Sequence, residues 1–378
     1  MKHKAPTFTI GVEEEYLLVD KETRDLCADP PRSIMEECEK RMQGQVSPEF
    51  MRAQIEIGTR VCHTVDEVRR DLARLRGTIV DVTGQHGLAP IAASTHPWAR
   101  WLDQKTTDRE RYDSLSAEMQ AAARRLLICG MHVHVGIEDD ELRIDLMNQF
   151  SYFLPHLLSL SCSSPFWEGE NTGLKSYRLT VFDALPRTGL PERFASFAEY
   201  RRHIGVMINA GLIQDATKIW WDMRPSDRYP TLEMRVTDVC TRLDDAITIA
   251  ALTVCIMRML YRLRCGNQRW RMYAPMLLME NRWRAMRYGS DEGLIDLAKG
   301  EIVPTAALIE ELVNLVREDA EDLDCMAEVE HAVEIVEQGT SADRQVAVFD
   351  EALKAGASET DALKAVVDML VEETARTV

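Results

Sequence analysis

No Cys-x-x-Cys pair occurs among the nine cysteines of this chain, so zinc knuckles and thioredoxin-like dithiols are excluded. The nine are odd in number and scattered from Cys27 to Cys325, and no apolar leader separates Met1 from the first strand-like segment. Reduced thiols in a cytoplasmic protein are therefore expected. Gly-x-Gly-x-x-Gly is missing as well. The nearest approach to a phosphate loop, Gly169-Glu-Asn-Thr-Gly-Leu-Lys-Ser176, has Leu174 between Gly173 and Lys175, which breaks the register a cradled phosphate needs. Long apolar runs are scarce: the longest uncharged one, Ala246 to Met257, falls well short of the ~20 residues of a membrane span. Positive charge is in deficit, with 45 Lys and Arg against 62 Asp and Glu and a net charge of −17. Nucleic acid and membrane are disfavoured as partners, because nucleic acid and anionic lipid are both held by surplus Lys and Arg.

What is present is the composition of a globular protein, 46% apolar and 28% charged over 378 residues, enough to bury a substantial core. The charge is uneven. Residues 301–378 hold 20 Asp and Glu against 5 Lys and Arg, a net of −15. Between Ile256 and Tyr288 lie eight Arg and the single acid Glu280. The acidic segment is expected to fold back near that Arg-rich stretch, with Leu308, Leu312, Leu315 and Val316 supplying most of the docking, since exposed ion pairs contribute little.

The hydrophobic pattern reads as α+β. Thr7–Asp20 is β-rich and ends in a turn. Thr64-Val-Asp-Glu67 is a capping box opening a helix whose apolar positions Val68, Leu72, Leu75, Ile79 and Val82 step by three and four, with Gly87 as its stop. Strands are expected at 88–93, 126–137 and 231–238, and helices at about 141–160 and 244–263. The last third reads as mostly helical, with Ser341 and Ser358 as caps. No repeat or low-complexity linker divides the chain, so residues 1–378 are expected to form a single catalytic domain, with 301–378 a helical extension packed on its body.

Three strand-like segments each place ionisable groups two residues apart, and residues i and i+2 of a strand share a face. Glu13 pairs in this way with Glu15, His132 with His134, and Glu233 with Arg235, each opposite an apolar side. A half-exposed sheet with solvated charges gives the same alternation. Gly130-Met-His-Val-His-Val-Gly136, however, lacks the Thr, Ser and Lys such a face usually carries. Carboxylates gathered with one or two imidazoles suit a hard divalent cation, Mg²⁺ or Mn²⁺, better than Zn²⁺. Glu49 and Glu56 are further carboxylate candidates, and Arg178 and Arg224 are candidate phosphate donors.

These phrases also occur together. Gly-Val-Glu-Glu-Glu-Tyr (11–16), Glu-Ile-Gly-Thr (56–59), Ser-Thr-His-Pro (94–97), Gly-Met-His-Val-His-Val-Gly (130–136), Trp-Asp-Met-Arg-Pro-Ser (221–226) and Leu-Glu-Met-Arg-Val-Thr-Asp (232–238) resemble, in order and spacing, the ATP-dependent carboxylate–amine ligases of the type 2 glutamate–cysteine ligase group. Gly-Thr-Ser-Ala-Asp-Arg-Gln (339–345) resembles that group's tail. The resemblance implies a glutamine-synthetase-like fold, a curved and largely antiparallel sheet backed by helices, with the active site on the concave face. It implies that ATP phosphorylates the γ-carboxylate of glutamate or a similar acid, and that an amine such as cysteine then attacks, leaving an amide, ADP and phosphate. It assigns Glu13, Glu15, Glu49, Glu56, His132 and Glu233 to Mg²⁺ or Mn²⁺ and places Arg235 near the transferring phosphate or the substrate carboxylate, while Arg178 and Arg224 are nucleotide-binding candidates by residue type. Glu233 and Arg235 are the residues expected to be catalytic. Small-molecule substrates and a homodimer or higher homo-oligomer go with it. Two departures stand out: Ser94 occupies the place of a more usual Gly, and Arg178-Leu-Thr replaces Arg-Pro-Asn.

Two other readings fit the same residues: a metal hydrolase built on His132 and His134, and a non-catalytic binding protein on the same fold. Within Glu13-Glu14-Glu15, strand geometry sends Glu14 alone to the helix side or the sheet rim. There it needs an Arg partner or solvent, and its loss is expected to cost about a kcal/mol.

Overall fold

The computed structural model describes residues 5–108 and 118–376, so the expectation resting on the extreme N-terminus falls outside the described residues. The main sheet is built from β1 (Ile10–Asp20), β2 (Val46–Pro48), β3 (Gln54–Gly58), β4 (Leu88–Ile91), β5 (Met131–Gly136), β6 (Met223–Pro225) and β7 (Thr231–Met234). β1 is its spine. β3 pairs along one edge of it, while β5 takes the first half of the other edge and β4 the second half. β2 adds outside β3, and β7 then β6 add outside β5, every pair antiparallel.

Alternation decides which face is covered. Val12, Glu14, Tyr16 and Leu18 of β1, with Met131, Val133 and Val135 of β5 and Leu232 and Met234 of β7, are buried on one side. Helices α1 (Arg32–Met42), α2 (Val65–Gly84), α3 (Asp140–Phe150), α4 (Leu154–Ser161), α5 (Phe197–Asn209) and α6 (Leu243–Cys265) follow the strands. α7 (Pro275–Tyr288), α8 (Thr305–Asp322), α9 (Met326–Gln338), α10 (Ser341–Lys354) and α11 (Glu359–Ala375) complete the chain. α2 and α6 lie against β1, α6 also touches β5, and α11 reaches β4. α6 is long and apolar enough to cross a membrane, yet 78% of its most apolar stretch is buried by its neighbours, as a central core helix requires.

Several boundaries differ from the sequence reading, each for a local reason. The helix expected at 141–160 is two helices, α3 and α4. Pro155 has no N–H and its ring opposes the carbonyl four residues back, so a continuous helix through Ser151–Phe153 is barred. The strand expected from Leu126 begins only at Met131, and the one expected to reach Asp238 ends at Met234. α2 stops at Gly84, short of Gly87. Its Thr64 cap is as expected, but Glu67 reaches back to the N–H of His63 and not to that of Thr64. The cap of α10 is Thr340, which forms a reciprocal box with Asp343, and Ser341 is the first helical residue.

The acidic segment does pack on the body. Leu308, Leu312 and Val316 of α8 are buried and Leu315 is partly buried. Among the described residues, the arginines of the stretch that ion-pair with it are the first two, Arg258 on Asp322 at 3.2 Å and Arg262 on Asp319 at 2.8 Å. Arg264 and Arg269 turn to Asp145, and Arg282 is buried between Asp183 and Asp222.

Candidate active site

The uncovered face of the sheet floors a cleft of about 850 Å³. Register assembles its polar row: Glu15 lies opposite Glu56, Glu13 opposite His132, His134 opposite Glu233, and Glu233 opposite Arg224. Glu49 joins from the segment after β2, and Arg235 lies one residue beyond β7 with its N–H still bonded to the Asp222 carbonyl at 2.8 Å. Placing like charges directly across a strand pair, as Glu15 and Glu56 are, costs stability unless something relieves them.

The carboxylates divide into two groups. Oxygen atoms of Glu15, Glu49 and Glu56 lie within 4.8 Å of one another, and so do ligand atoms of Glu13, His134 and Glu233. In the first group every hydrogen-bond donor is neutral: the Gly130 N–H on Glu15 at 2.8 Å, Ser47 on Glu56 at 2.7 Å and the Phe50 N–H on Glu49 at 2.9 Å. Among the described residues none of the three is ion-paired. Burial and then the Glu56 charge push Glu15 up to about 7, and burial with the neighbouring carboxylates raises Glu49 and Glu56 as well. Three crowded oxygen donors with no ion pair of their own are what a hard divalent cation fits.

The second group is compensated by the protein. Burial opposes ionisation of Glu233, but Arg235 and Arg224 outweigh it and hold the carboxyl far below its usual range. Arg224 grips both Glu233 oxygens, at 2.8 and 3.2 Å, and gives its remaining Nη1 donor to the Thr217 and Ile219 carbonyls. Burial likewise opposes ionisation of Glu13, and contacts from His132 and His134 overcome it. Burial and Arg235 push His132 down to about 4, so it is neutral and sits 3.1 Å from Glu13. His134 bonds Thr231 through Nδ1 at 3.0 Å, while its buried Nε2 has no hydrogen-bond partner. The buried Nε of Arg235 is also without one.

Arg178 is set deeper. It is 3% exposed and packs over Gly130 so closely that a Cβ there would lie 2.3 Å from its guanidinium. Behind it the buried Asp238 accepts from the Ser163 N–H and from the Ser164 and Ser176 hydroxyls. Arg178 thus stands beside Glu15 in a prebuilt polar nest.

Against known proteins, the family described as glutamate–cysteine ligase family 2 matches residues 9–368. The chain belongs to glutamate–cysteine ligase family 2. A relative from Rhodospirillum rubrum, provisionally named glutamate–cysteine ligase 2, is 59% identical over 375 residues, covering 98% of this chain and 96% of the relative. One from Paracoccus denitrificans is 54% identical over 98% of both chains. Among solved structures, the glutamate–cysteine ligase of Francisella tularensis in complex with AMP is similar in fold at a TM-score of 0.68 and 13% identity, over 99% of this chain and 94% of that one. A bifunctional glutathione synthetase from Pasteurella multocida gives 0.69 and 13%, over 97% of this chain and 53% of that one. The glutamine-synthetase-like fold is therefore established. Family membership makes the chain an ATP-dependent carboxylate–amine ligase of the glutamate–cysteine ligase type.

Within this family 2 chain the structure brings Glu13, Glu15, Glu49, Glu56, His132, Glu233, Arg178, Arg224 and Arg235 to one cleft. His134 is the imidazole whose ligand atom lies within 4.8 Å of both Glu13 and Glu233 oxygens, and His132 lies 3.1 Å from Glu13 in the same cleft. The signal was available, since the two histidines share a face, but only the register shows that His134 is the one opposite Glu233.

His96 of the Ser94–Pro97 phrase is absent from the cleft lining and serves the fold. It is buried, with Nε2 on the Arg24 carbonyl at 2.9 Å and Nδ1 accepting from the Trp98 and Ala99 N–H groups at 3.2 and 3.0 Å. Burial pushes its pKa down to about 4. The neutral ring is therefore the folded form, and its contribution is complete above pH 6.5 and lost as the pH falls toward 4. One such histidine forfeits about 2 kcal/mol by pH 5. The cleft carboxylates with raised pKa act in the opposite direction, so the expected result is a difference. In urea unfolding at pH 7.5 and 5.0, His96→Gln should show a smaller acid loss than the wild type. Equal losses would contradict the assignment.

Proposed function

We propose that this ligase uses ATP and Mg²⁺ or Mn²⁺ to phosphorylate the γ-carboxylate of glutamate, or a closely similar acid, and joins the product to an amine such as cysteine. The observation that carries this reading is the pair of ligand groups, Glu15-Glu49-Glu56 and Glu13-His134-Glu233, side by side on one cleft floor with Arg235 reaching toward Glu233. Each group suits a divalent cation. When bound, such cations neutralise phosphate oxygens and let two anions approach.

The chain's own residues do the rest. Arg224 and Arg235 keep Glu233 ionised and fixed, and the unpartnered Arg235 Nε is a donor for an anionic oxygen. Thr231 holds the orientation of His134 from behind. In the reaction a carboxylate oxygen displaces ADP from the γ-phosphorus. The amine nitrogen then bonds to the acyl carbon, and phosphate leaves with the C–O electron pair. The cleft's polar walls keep the acyl phosphate oriented for the amine. A hydrolase built on the two histidines finds no support among the relatives, whose names are those of ligases.

The test is ADP release with Mg²⁺, glutamate and a panel of amines including cysteine. ADP and amide are expected in equal amounts and only when acid and amine are both present. Turnover of any amide or ester without ATP, or ADP release indifferent to the acid, would overturn the proposal.

A further inference from the structure

The phrase Gly339–Gln345 lies outside the cleft lining, yet Ser341, Ala342 and Gln345 of α10 are buried. A buried glutamine amide must spend its donors on partners. Nε2 of Gln345 donates to the Ser163 carbonyl at 2.9 Å and to the Ser341 hydroxyl at 3.1 Å. Beside it the Ala342 N–H donates to the Cys162 carbonyl at 2.9 Å, and Lys175 is ion-paired with Asp343. The start of α10 therefore holds the segment from Cys162 to Lys175 at both ends. That segment in turn holds Arg178. Ser163, Ser164 and Ser176 supply the donors to Asp238, and the Ser164 hydroxyl that donates to Asp238 at 2.7 Å also accepts from the Arg178 N–H at 3.1 Å.

The Arg178 backbone is thus fixed, while its guanidinium is lightly held. The two Nη atoms reach the Val236 and Arg235 carbonyls only at 3.4 Å, and among the described residues no carboxylate ion-pairs with them. Gly130 bounds the guanidinium on its other side. A buried guanidinium with two long contacts keeps donor capacity for an anionic oxygen. We propose that Gln345 is a positioning residue for Arg178, acting through Ser163, Ser164 and Asp238 to aim the guanidinium at an anionic oxygen of a substrate in the cleft. On the ligase reading above, on which this rests, the phrase Gly339–Gln345 belongs to the active-site architecture without touching substrate. Each link is a hydrogen bond with a defined direction, so the loss of one donor is felt at the far end as a misaimed guanidinium.

Binding to the full chain is measured by calorimetry with two probes, ADP with Mg²⁺ and glutamate. Arg178→Gln should raise the Kd of one of them, the anion the guanidinium meets, about 10–100-fold. Gln345→Met keeps the side chain's length and loses both donors. It should raise the same Kd about 3–10-fold and leave the other within about twofold. In turnover, the KM of that one substrate should move alike. Put into the Arg178→Gln chain, Gln345→Met should add less than about twofold, because the group it acts through is gone. Gln345→Glu, which keeps the shape as well, repeats the cycle if the Met variant does not fold. Equal effects of the Gln345 change in both backgrounds, or none in either, would overturn the inference, as would a rise in both Kd values together. A wild type that binds either probe and forms no amide would sink the ligase reading alone, with the binding cycle still deciding the role of Gln345. One that binds neither would end both.

Discussion

Replacing Glu15 by Gln is expected to lower amide-forming turnover roughly 10²–10³-fold and, without divalent cations, to leave the chain more stable than the wild type. The two effects have one origin. Glu15 faces Glu56 across the strand pair and shares its pocket with Glu49, and the donors to all three are neutral. Burial and the Glu56 charge push Glu15 up to about 7, so without a cation the row carries electrostatic strain that a neutral side chain relieves. The gain should be about 1–2 kcal/mol in urea unfolding near pH 8. Added Mg²⁺ should then stabilise the wild type and have much less effect on the variant, because binding to the folded state alone shifts the equilibrium. A Gln variant that is less stable than the wild type without metal, or that responds to Mg²⁺ as the wild type does, would remove Glu15 from the cation-holding group.

The same geometry shows what the sequence could and could not disclose. Period-two alternation assigned Glu13, Glu15, Glu233 and Arg235 to one face, because a strand offers no other arrangement. Membership of the row was legible in the motifs. Its internal grouping was not, since which carboxylate meets which imidazole depends on register between strands that lie about 100 residues apart in sequence. The resemblance singles out His132, and only the register shows that His134 also stands beside Glu233. Arg224 illustrates a second limit. Its type suggested a phosphate donor, and only the fold shows that it clamps Glu233 and donates to the Thr217 and Ile219 carbonyls. Arg178 needed a tertiary fact too, the Asp238 nest that forms only when residues 163–176 and 238 are brought together. The break at Pro155, by contrast, is legible in the sequence, because a proline inside an apolar run bars a continuous helix.

The largest stability effect is expected at Glu14. It points away from the cleft, is fully buried, and is gripped at both oxygens by Arg76 of α2, at 2.8 and 2.6 Å. The Tyr16 hydroxyl donates to it as well, and Arg76 continues to the Thr241 and Cys240 carbonyls at 2.8 and 2.9 Å. The partner that strand geometry demanded is present, but the cost of losing it is larger than the sequence implied. Glu14→Gln removes the counter-charge and leaves a guanidinium buried against carbonyls, which costs about 3–5 kcal/mol where a solvated carboxylate would cost about one. Removing both charges, as in Glu14→Gln with Arg76→Met, should destabilise by less than the sum of the two single changes, because the second deletes the charge the first left stranded. Turnover per folded molecule should stay near that of the wild type in Glu14→Gln, since no atom of Glu14 lines the cleft. Urea unfolding and rates normalised to folded chain separate the two quantities. Wild-type stability together with lost turnover in Glu14→Gln, and the reverse in Glu13→Gln, would mean that β1 presents its other face to the cleft, and every residue assigned to the row would move with it.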